Sequence, residues 1–297
     1  FFRAFFNLLL CFYRYVSGDQ KWEQPFKIVG CQERLFDWDH HRLVRFMHDQ
    51  WAERPQGIHC ENTKIWPFCV SGAGLGMQLY DRLHGTNTSW VYERWVDYAR
   101  QHYMGLDRKG NLDWFTLYYD PLERSICTFR DDVSAYAAIA ITLYVLPQHH
   151  AFGTQLYEMA VRKLGWNDPK KPLLQLHPDP RWLALGIFTA RELGDTITEA
   201  RLRQLAEASF EPKFFGPDGD HFGWWFKFGE SWPRGQLSSL MVLSELGEPG
   251  AWSRVFNQPN LVKFSEPTVS GVDYPTLGIA QCWNDQNTGA LWVETYG

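Results

Sequence analysis

The sequence predicts an all-α fold of stacked helical hairpins, and three observations carry that expectation. Apolar residues recur at helical spacing through most of the chain. Four of these runs stop on a glycine followed by a polar or acidic residue: Gly18 after FYRYVS, Gly85 after LYDRLH, Gly194 after TAREL and Gly247 after VLSEL. Glycine lacks a β-carbon and takes the left-handed conformation that closes a helix. The intervals between the stops are roughly one or two multiples of a 50 to 60 residue unit, as helix-pair repeats require. A missing member falls near Val145-Leu146-Pro147, where proline also ends a helix.

In order, the spacing predicts helices near residues 5–17 and 40–52, 70–84 and 90–104, 133–146 and 150–164, 181–193 and 198–209, and 235–246 and 250–256. Leu112 to Phe129 alternates around Asp120-Pro121, and Tyr274 to Tyr296 around Asn287-Thr288-Gly289, so each predicts a small β-hairpin at one rim. Five helical hairpins stack as an open solenoid or as a closed double ring, and one further pair ahead of Phe1 makes six. The chain enters an amphipathic helix at Phe1-Phe2-Arg3-Ala4-Phe5 with neither Met nor cap, and without the basic leader and cleavage site of a signal peptide. The expectation is a toroid that lacks its first helices. With no Pro/Ser-rich linker and no shift in composition, residues 1–297 read as a single domain.

Composition narrows the function. At 297 residues and 45% hydrophobic content the chain can bury a sizeable core. A net charge of −5 without a clustered Lys/Arg face argues against a nucleic-acid partner. No run approaches the roughly 18 apolar residues of a spanning helix. Six cysteines without a CxxC pair are too sparse for a disulfide scaffold, and the compartment stays open.

The densest run of reactive side chains is His59-Cys60-Glu61-Asn62-Thr63-Lys64-Ile65-Trp66-Pro67-Phe68-Cys69, just ahead of the predicted 70–84 helix. Two thiols nine residues apart cannot share a helix face, but a loop can turn both toward one cavity. Cys69 stands at the start of a helix, whose positive dipole end favours a thiolate, so it reads as the base or nucleophile. Cys60, between His59 and Glu61, reads as the proton donor. Two structural roles compete with this one: buried free cysteines are common, and a disulfide between the pair is also compatible with the spacing. A zinc site from His59, Cys60 and Cys69 lacks the usual short ligand spacing, and no metal or cofactor is expected.

GIHCENTKIWPFC followed by LYDRLHGT resembles the linalool dehydratase-isomerase family, in which two cysteines of the same separation precede a YDRLHGT helix ending. The likeness extends to FNLLLCFYRYVSGDQKWE, to Val133-Ser134-Ala135-Tyr136 and, more loosely, through ARELGD. The resemblance implies a closed (α/α)6 toroid, a ring-shaped homo-oligomer, and cofactor-free hydration, dehydration and isomerisation of an allylic isoprenoid alcohol. It carries the catalytic pair onto Cys60 and Cys69 and an active-site tyrosine onto Tyr136. Where the family has a catalytic histidine, this chain has Phe5, which cannot relay a proton, so His59 is the expected substitute. The family's acidic and tyrosine residues from further upstream have no counterpart here.

Phe5, Glu61, Trp66 and Phe68, with Trp224 and Trp225 of the FGWWFKF run, are the candidate substrate wall for a small apolar ligand. Asp131-Asp132 resembles a glycosidase carboxylate pair but is better explained as helix capping. The Asp37 to His41 cluster invites a metal reading, which solvated residues ahead of a helix also satisfy, and it lies in an insertion able to reshape the pocket or a subunit contact. The favoured expectation is a cofactor-independent lyase or isomerase. Its rivals are a carbohydrate-active toroid enzyme and a non-catalytic binder of apolar ligands.

Overall fold

The computed structural model describes residues 2–61, 63–176, 179–210, 212–215, 217–219, 221–224, 234–274 and 276–297. Among these lie ten α-helices and nine short strands: α1 (Phe2–Ser17), β1 (Phe26–Val29), β2 (Leu35–Trp38), α2 (His40–Ala52), α3 (Pro67–His84), α4 (Val91–His102), β3 (Met104–Leu106), β4 (Leu112–Asp120), β5 (Ser125–Arg130), α5 (Asp131–Gln148), α6 (His150–Leu164), α7 (Pro180–Leu193), α8 (Thr196–Phe210), β6 (Pro212–Phe215), β7 (His221–Trp224), α9 (Arg234–Leu246), α10 (Ala251–Asn257), β8 (Gly278–Asn284) and β9 (Leu291–Tyr296). The protein is thus mostly helical, with small antiparallel sheets. Each helix expected from the spacing occurs, with ends shifted by a few residues, as for α3, which starts at Pro67 rather than 70.

The chain divides into two compact units, Phe1–Pro259 and Asn260–Gly297, a division that neither linker nor composition signals. In the larger unit, α1, α3, α5, α7 and α9 are successive neighbours, and α4, α6 and α8 form a second row against α3, α5 and α7. Helix α5 contacts α3, α6, α7 and β4, and from Ala138 to Leu146 it buries Ala138, Ile139, Ile141, Thr142, Tyr144, Val145 and Leu146, leaving its first turn exposed. The smaller unit contains the β8–β9 hairpin, in which Trp283 stacks on Trp292 at 6.3 Å.

Local chemistry explains the helix boundaries. Gly18, Gly85 and Gly194 take φ of 73°, 65° and 71°, as closing residues must. Gly247 does not: its N–H continues the helical pattern to the Leu243 carbonyl, and the left-handed residue is Gly250, at φ 74°. Pro147 lies inside the last turn of α5, and the next stop falls at Gly165, φ 69°. Asp39 caps α2 by accepting from the Arg42 N–H at 2.6 Å. Asp131 and Asp132 make no such cap. They occupy the first turn of α5, where their charge suits the helix dipole, and Asp131 holds φ +53°.

One contact sets the position of α1. A β-carbon at Gly76 would lie 2.6 Å from the Asn7 side chain and 3.1 Å from the Leu8 nitrogen, and one at Gly72 would meet the Phe5 ring at 3.0 Å. Glycine on α3 lets the α1 backbone approach this closely. The antiparallel sheet β3–β4–β5 then packs on α5 and α3, burying Leu112 and Phe115. The β1–β2 hairpin, paired from Phe26–Trp38 to Val29–Leu35, occupies the insertion ahead of α2.

Candidate active site

The segment between α2 and α3 is a loop with a fixed shape. Thr63, at φ +68°, turns the chain so that the Cys60 N–H reaches the Lys64 carbonyl at 2.8 Å. Ile65, wholly buried, then pairs with Tyr119 of β4 through two backbone hydrogen bonds of 2.9 and 2.8 Å. Beside this rung Lys64 forms an ion pair with Asp120, which also accepts from the Leu122 N–H at 3.0 Å. The ammonium, acting first, and the backbone donors hold the Asp120 carboxyl below the usual carboxylate range.

Pro67 opens α3, so Cys69 is the third residue of the helix rather than the residue before it. The loop returns Cys60 to within 2.7 Å of it, sulfur to sulfur, and both thiols are free. Cys69 is buried and Cys60 half-buried. Two thiols so close cannot both ionise, and the charge goes to the better solvated one. The hydrogen bond from Cys69 pulls the Cys60 thiol down to about 6, against the opposing effects of burial and of Glu61. The bond to Cys60, then burial, push Cys69 far up. Enclosure of Cys69 thus works against the half-charge at the helix end, and solvation favours placing the charge on Cys60.

Three aromatic rings meet beside Cys69. Phe68 lies 5.8 Å from Phe5 and 5.2 Å from Tyr144, and Phe5 lies 5.9 Å from Tyr144. Burial, and secondarily the neighbouring Cys69, raise the Tyr144 phenol. Tyr144 was absent from the sequence-derived site, because α5 packs against several elements from Ala138 to Leu146 and its apolar period does not show which tyrosine faces the thiols.

Tyr136 occupies a different setting. It stacks on Trp182 at 5.3 Å and 15°, and burial, followed by Asp132 and Asp179, pushes its phenol up to about 12. Trp182 in turn lines an apolar cavity of about 330 Å³ with Trp66, Phe68, Phe115, Phe129 and Ile141. Neither sulfur is among the groups that line this cavity, which approaches the thiol loop through Trp66, Pro67 and Phe68.

Among the described residues His59 makes no hydrogen bond to either sulfur. Its Nε2 faces Arg54 Nη1 at 3.2 Å, and burial, then the charges of Arg54 and Arg3, lower its pKa. A neutral ring held by a guanidinium accepts a hydrogen bond and has no spare proton on that nitrogen. Glu61 is exposed and accepts the Lys64 N–H through its carbonyl. The Trp224 side chain and all of Trp225 lie outside the described residues. Among the described residues no three His, Cys, Asp or Glu side chains are placed to hold a metal ion, and no helix is long and apolar enough to cross a membrane.

With that geometry in place, the comparison with protein families is decisive: the model described as linalool dehydratase/isomerase matches residues 1–222. The chain belongs to this family. The match spans both cysteines, the three rings around Cys69 and Tyr136, and it ends within β7, ahead of α9, α10 and the smaller unit. A lyase and isomerase activity is what membership suggests at the level of the family.

Proposed function

We propose that the protein is a cofactor-independent hydro-lyase and isomerase that acts on an apolar allylic alcohol through the Cys60–Cys69 pair. The observation that carries the reading is the 2.7 Å separation of two free thiols whose affinities for a proton are driven apart. Separated pKa values are what divide one pair of like groups into an acid and a base.

In the dehydration, the Cys69 S–H gives its proton to the substrate hydroxyl, the C–O bond breaks, and water leaves behind an allylic cation. The faces of Phe5, Phe68 and Tyr144 stabilise that charge and exclude bulk water. As the C–O bond breaks, the Cys60 thiolate takes a proton from the adjacent carbon and the new double bond forms, so the two sulfurs do not carry charge together. Transfer of that proton from Cys60 to Cys69 across the short gap restores the starting state. Water adding to the other end of the allylic system returns its extra proton to Cys69 and gives the isomerised alcohol. The cavity lined by Trp66, Phe115 and Trp182 is of a size for the apolar tail. The contiguous row from α1 to α9 is compatible with closure into the family's six-pair ring and with a ring-shaped homo-oligomer.

The test incubates purified protein with linalool or geraniol and follows hydrocarbon by gas chromatography. Product that disappears in Cys60→Ala and in Cys69→Ala supports the reading; activity indifferent to both overturns it. A second reading, a non-catalytic binder of apolar ligands, is favoured by Phe5 in place of a proton-relaying histidine and by the sulfur-free lining of the cavity. It predicts binding of the same alcohols without turnover.

A further inference from the structure

The opposite end of the α1–α3 contact buries a cluster that the thiol chemistry leaves unused. His40 opens α2 and is 1% exposed. Its Nε2 lies 2.8 Å from the Asn7 Oδ1 of α1 and 3.6 Å from Cys11 Sγ, while Cys11 also reaches the Gly76 carbonyl of α3 at 3.2 Å. Both side chains of α1 use the same ring nitrogen, so this is a packed anchor rather than a relay of the cysteine-histidine-asparagine type. Two more imidazoles complete the cluster. His84, in the last turn of α3, has its ring 6.0 Å from His40 and 5.1 Å from His41, and Tyr80 bridges all three, its hydroxyl 2.6 Å from His41 Nδ1.

The counter-charge available to three protonated rings is small. Glu23, in the 3-10 turn Lys21–Glu23, is 3.6 Å from His84 Nε2, but the same oxygen is already held by Arg14 of α1 at 3.0 Å. Asp81 of α3 spends its carboxylate on Thr86, Thr88 and Ser89. Asp39 of α2 caps its own helix. From α1 and α2 the nearby fixed charges include Arg14 and Arg45, of the wrong sign. Protons entering this space therefore meet like charges at distances of a few ångströms in a buried setting.

We propose that His40 and His84, packed with His41 and Tyr80, form an acid-triggered latch that holds α1 against α3 at neutral pH and releases it as His40 and His84 protonate. Burial first, then His84 and His41, hold His40 down at about 3, and burial lowers His84 despite Glu23. A histidine depressed in the closed state contributes stability that is complete above its unfolded value of about 6.5 and is lost as pH falls below it. For a ring that stays neutral when closed and titrates near 6.5 when free, lowering the pH from 7.5 to 5.0 favours opening about 30-fold, and two such rings multiply the effect. Helix α1 also carries Phe5, so its release removes one ring from the group that Phe68 and Tyr144 complete. The latch and the thiol chemistry are nevertheless separable, because the latch is read in the backbone of α1.

The experiment is hydrogen exchange by mass spectrometry on the full chain at pH 7.5 and 5.0, with rates corrected for the intrinsic pH dependence. Opening of residues 2–17 is expected to rise at least 30-fold at pH 5.0 while residues 131–164 keep their protection, and His40→Gln combined with His84→Gln is expected to abolish most of that rise. Equal α1 protection at the two pH values, a loss of protection shared by α5 and α6, or a variant that responds as the parent does would each overturn the latch. The parent chain gives a second reading: histidine Cε1–H resonances followed by NMR must show at least two rings titrating at the midpoint at which α1 opens, and rings that titrate independently of that opening refute it.

Discussion

Two thiols of this protein each face a hydrogen-bonding partner, Cys60 from the α2–α3 loop toward α3 and Cys11 from α1 toward α2, and their fates diverge. Cys60 meets Cys69 at 2.7 Å and remains half-open to solvent. Cys11 meets His40 at 3.6 Å and is wholly buried, with its thiol driven up by that burial and His40 driven down by its own. A cysteine beside a histidine is the more familiar recipe for a nucleophile, yet here it yields a neutral, inert pair. The difference teaches that the partner matters less than whether one member can keep its charge solvated.

The comparison breaks most visibly in turnover. Replacing Cys60 or Cys69 by Ala should lower kcat by about 100-fold or more, the usual contribution of a positioned acid or base, whereas Cys11→Ala should leave kcat within a few-fold. Alkylation by iodoacetamide sharpens it: Cys60 should react with a midpoint near pH 6, and Cys69→Ala, which returns it toward the ordinary value of about 8.5, should slow its reaction at pH 7 by about 30-fold. The sign follows from the removed donor, since the S–H of Cys69 is what favours the Cys60 thiolate.

Smaller effects test the surroundings. Gly76→Ala inserts a methyl against the Asn7 side chain and the Leu8 backbone, and should cost about 1 to 3 kcal/mol in urea unfolding, because backbone cannot step aside. Tyr144→Phe should shift the pH profile of Cys60 alkylation by a few tenths of a unit, whereas Tyr136→Phe, packed on Trp182, should leave that profile in place and affect substrate KM instead. An equal shift in both variants would erase the distinction between the two tyrosines.

Much of the helical scaffold was legible because each helix buries one stripe and stops at a residue with special backbone freedom. Gly18, Gly85 and Gly194 take the left-handed conformation that their patterns predict, while α9 also ends ahead of Gly247 but without that conformation, and the left-handed Gly250 instead opens α10. The β1–β2 hairpin left no trace, since its strands are four residues long and Leu35, Phe36 and Val29 stay exposed instead of alternating with a buried face. Within the site, the meeting of Cys60 and Cys69 was legible from their shared loop. Which of them is favoured as the thiolate was not, because the rings gathered on Phe68 beside Cys69 are Phe5 of α1 and Tyr144 of α5, residues far away in sequence. The histidine cluster was seen only as a polar run at 37–41; its third ring, His84, arrives from the last turn of α3.

The rung between Ile65 and Tyr119 gives the reactive loop an address on the β4–β5 hairpin as well as on α3. The turn at residues 121–124 is exposed or partly so and sits next to Asp120, the anchor for Lys64. Evolution can therefore retune the spacing and reactivity of the sulfur pair by editing a surface turn, without disturbing the helical scaffold. Libraries built at those four positions would explore new substrates at little risk to the fold.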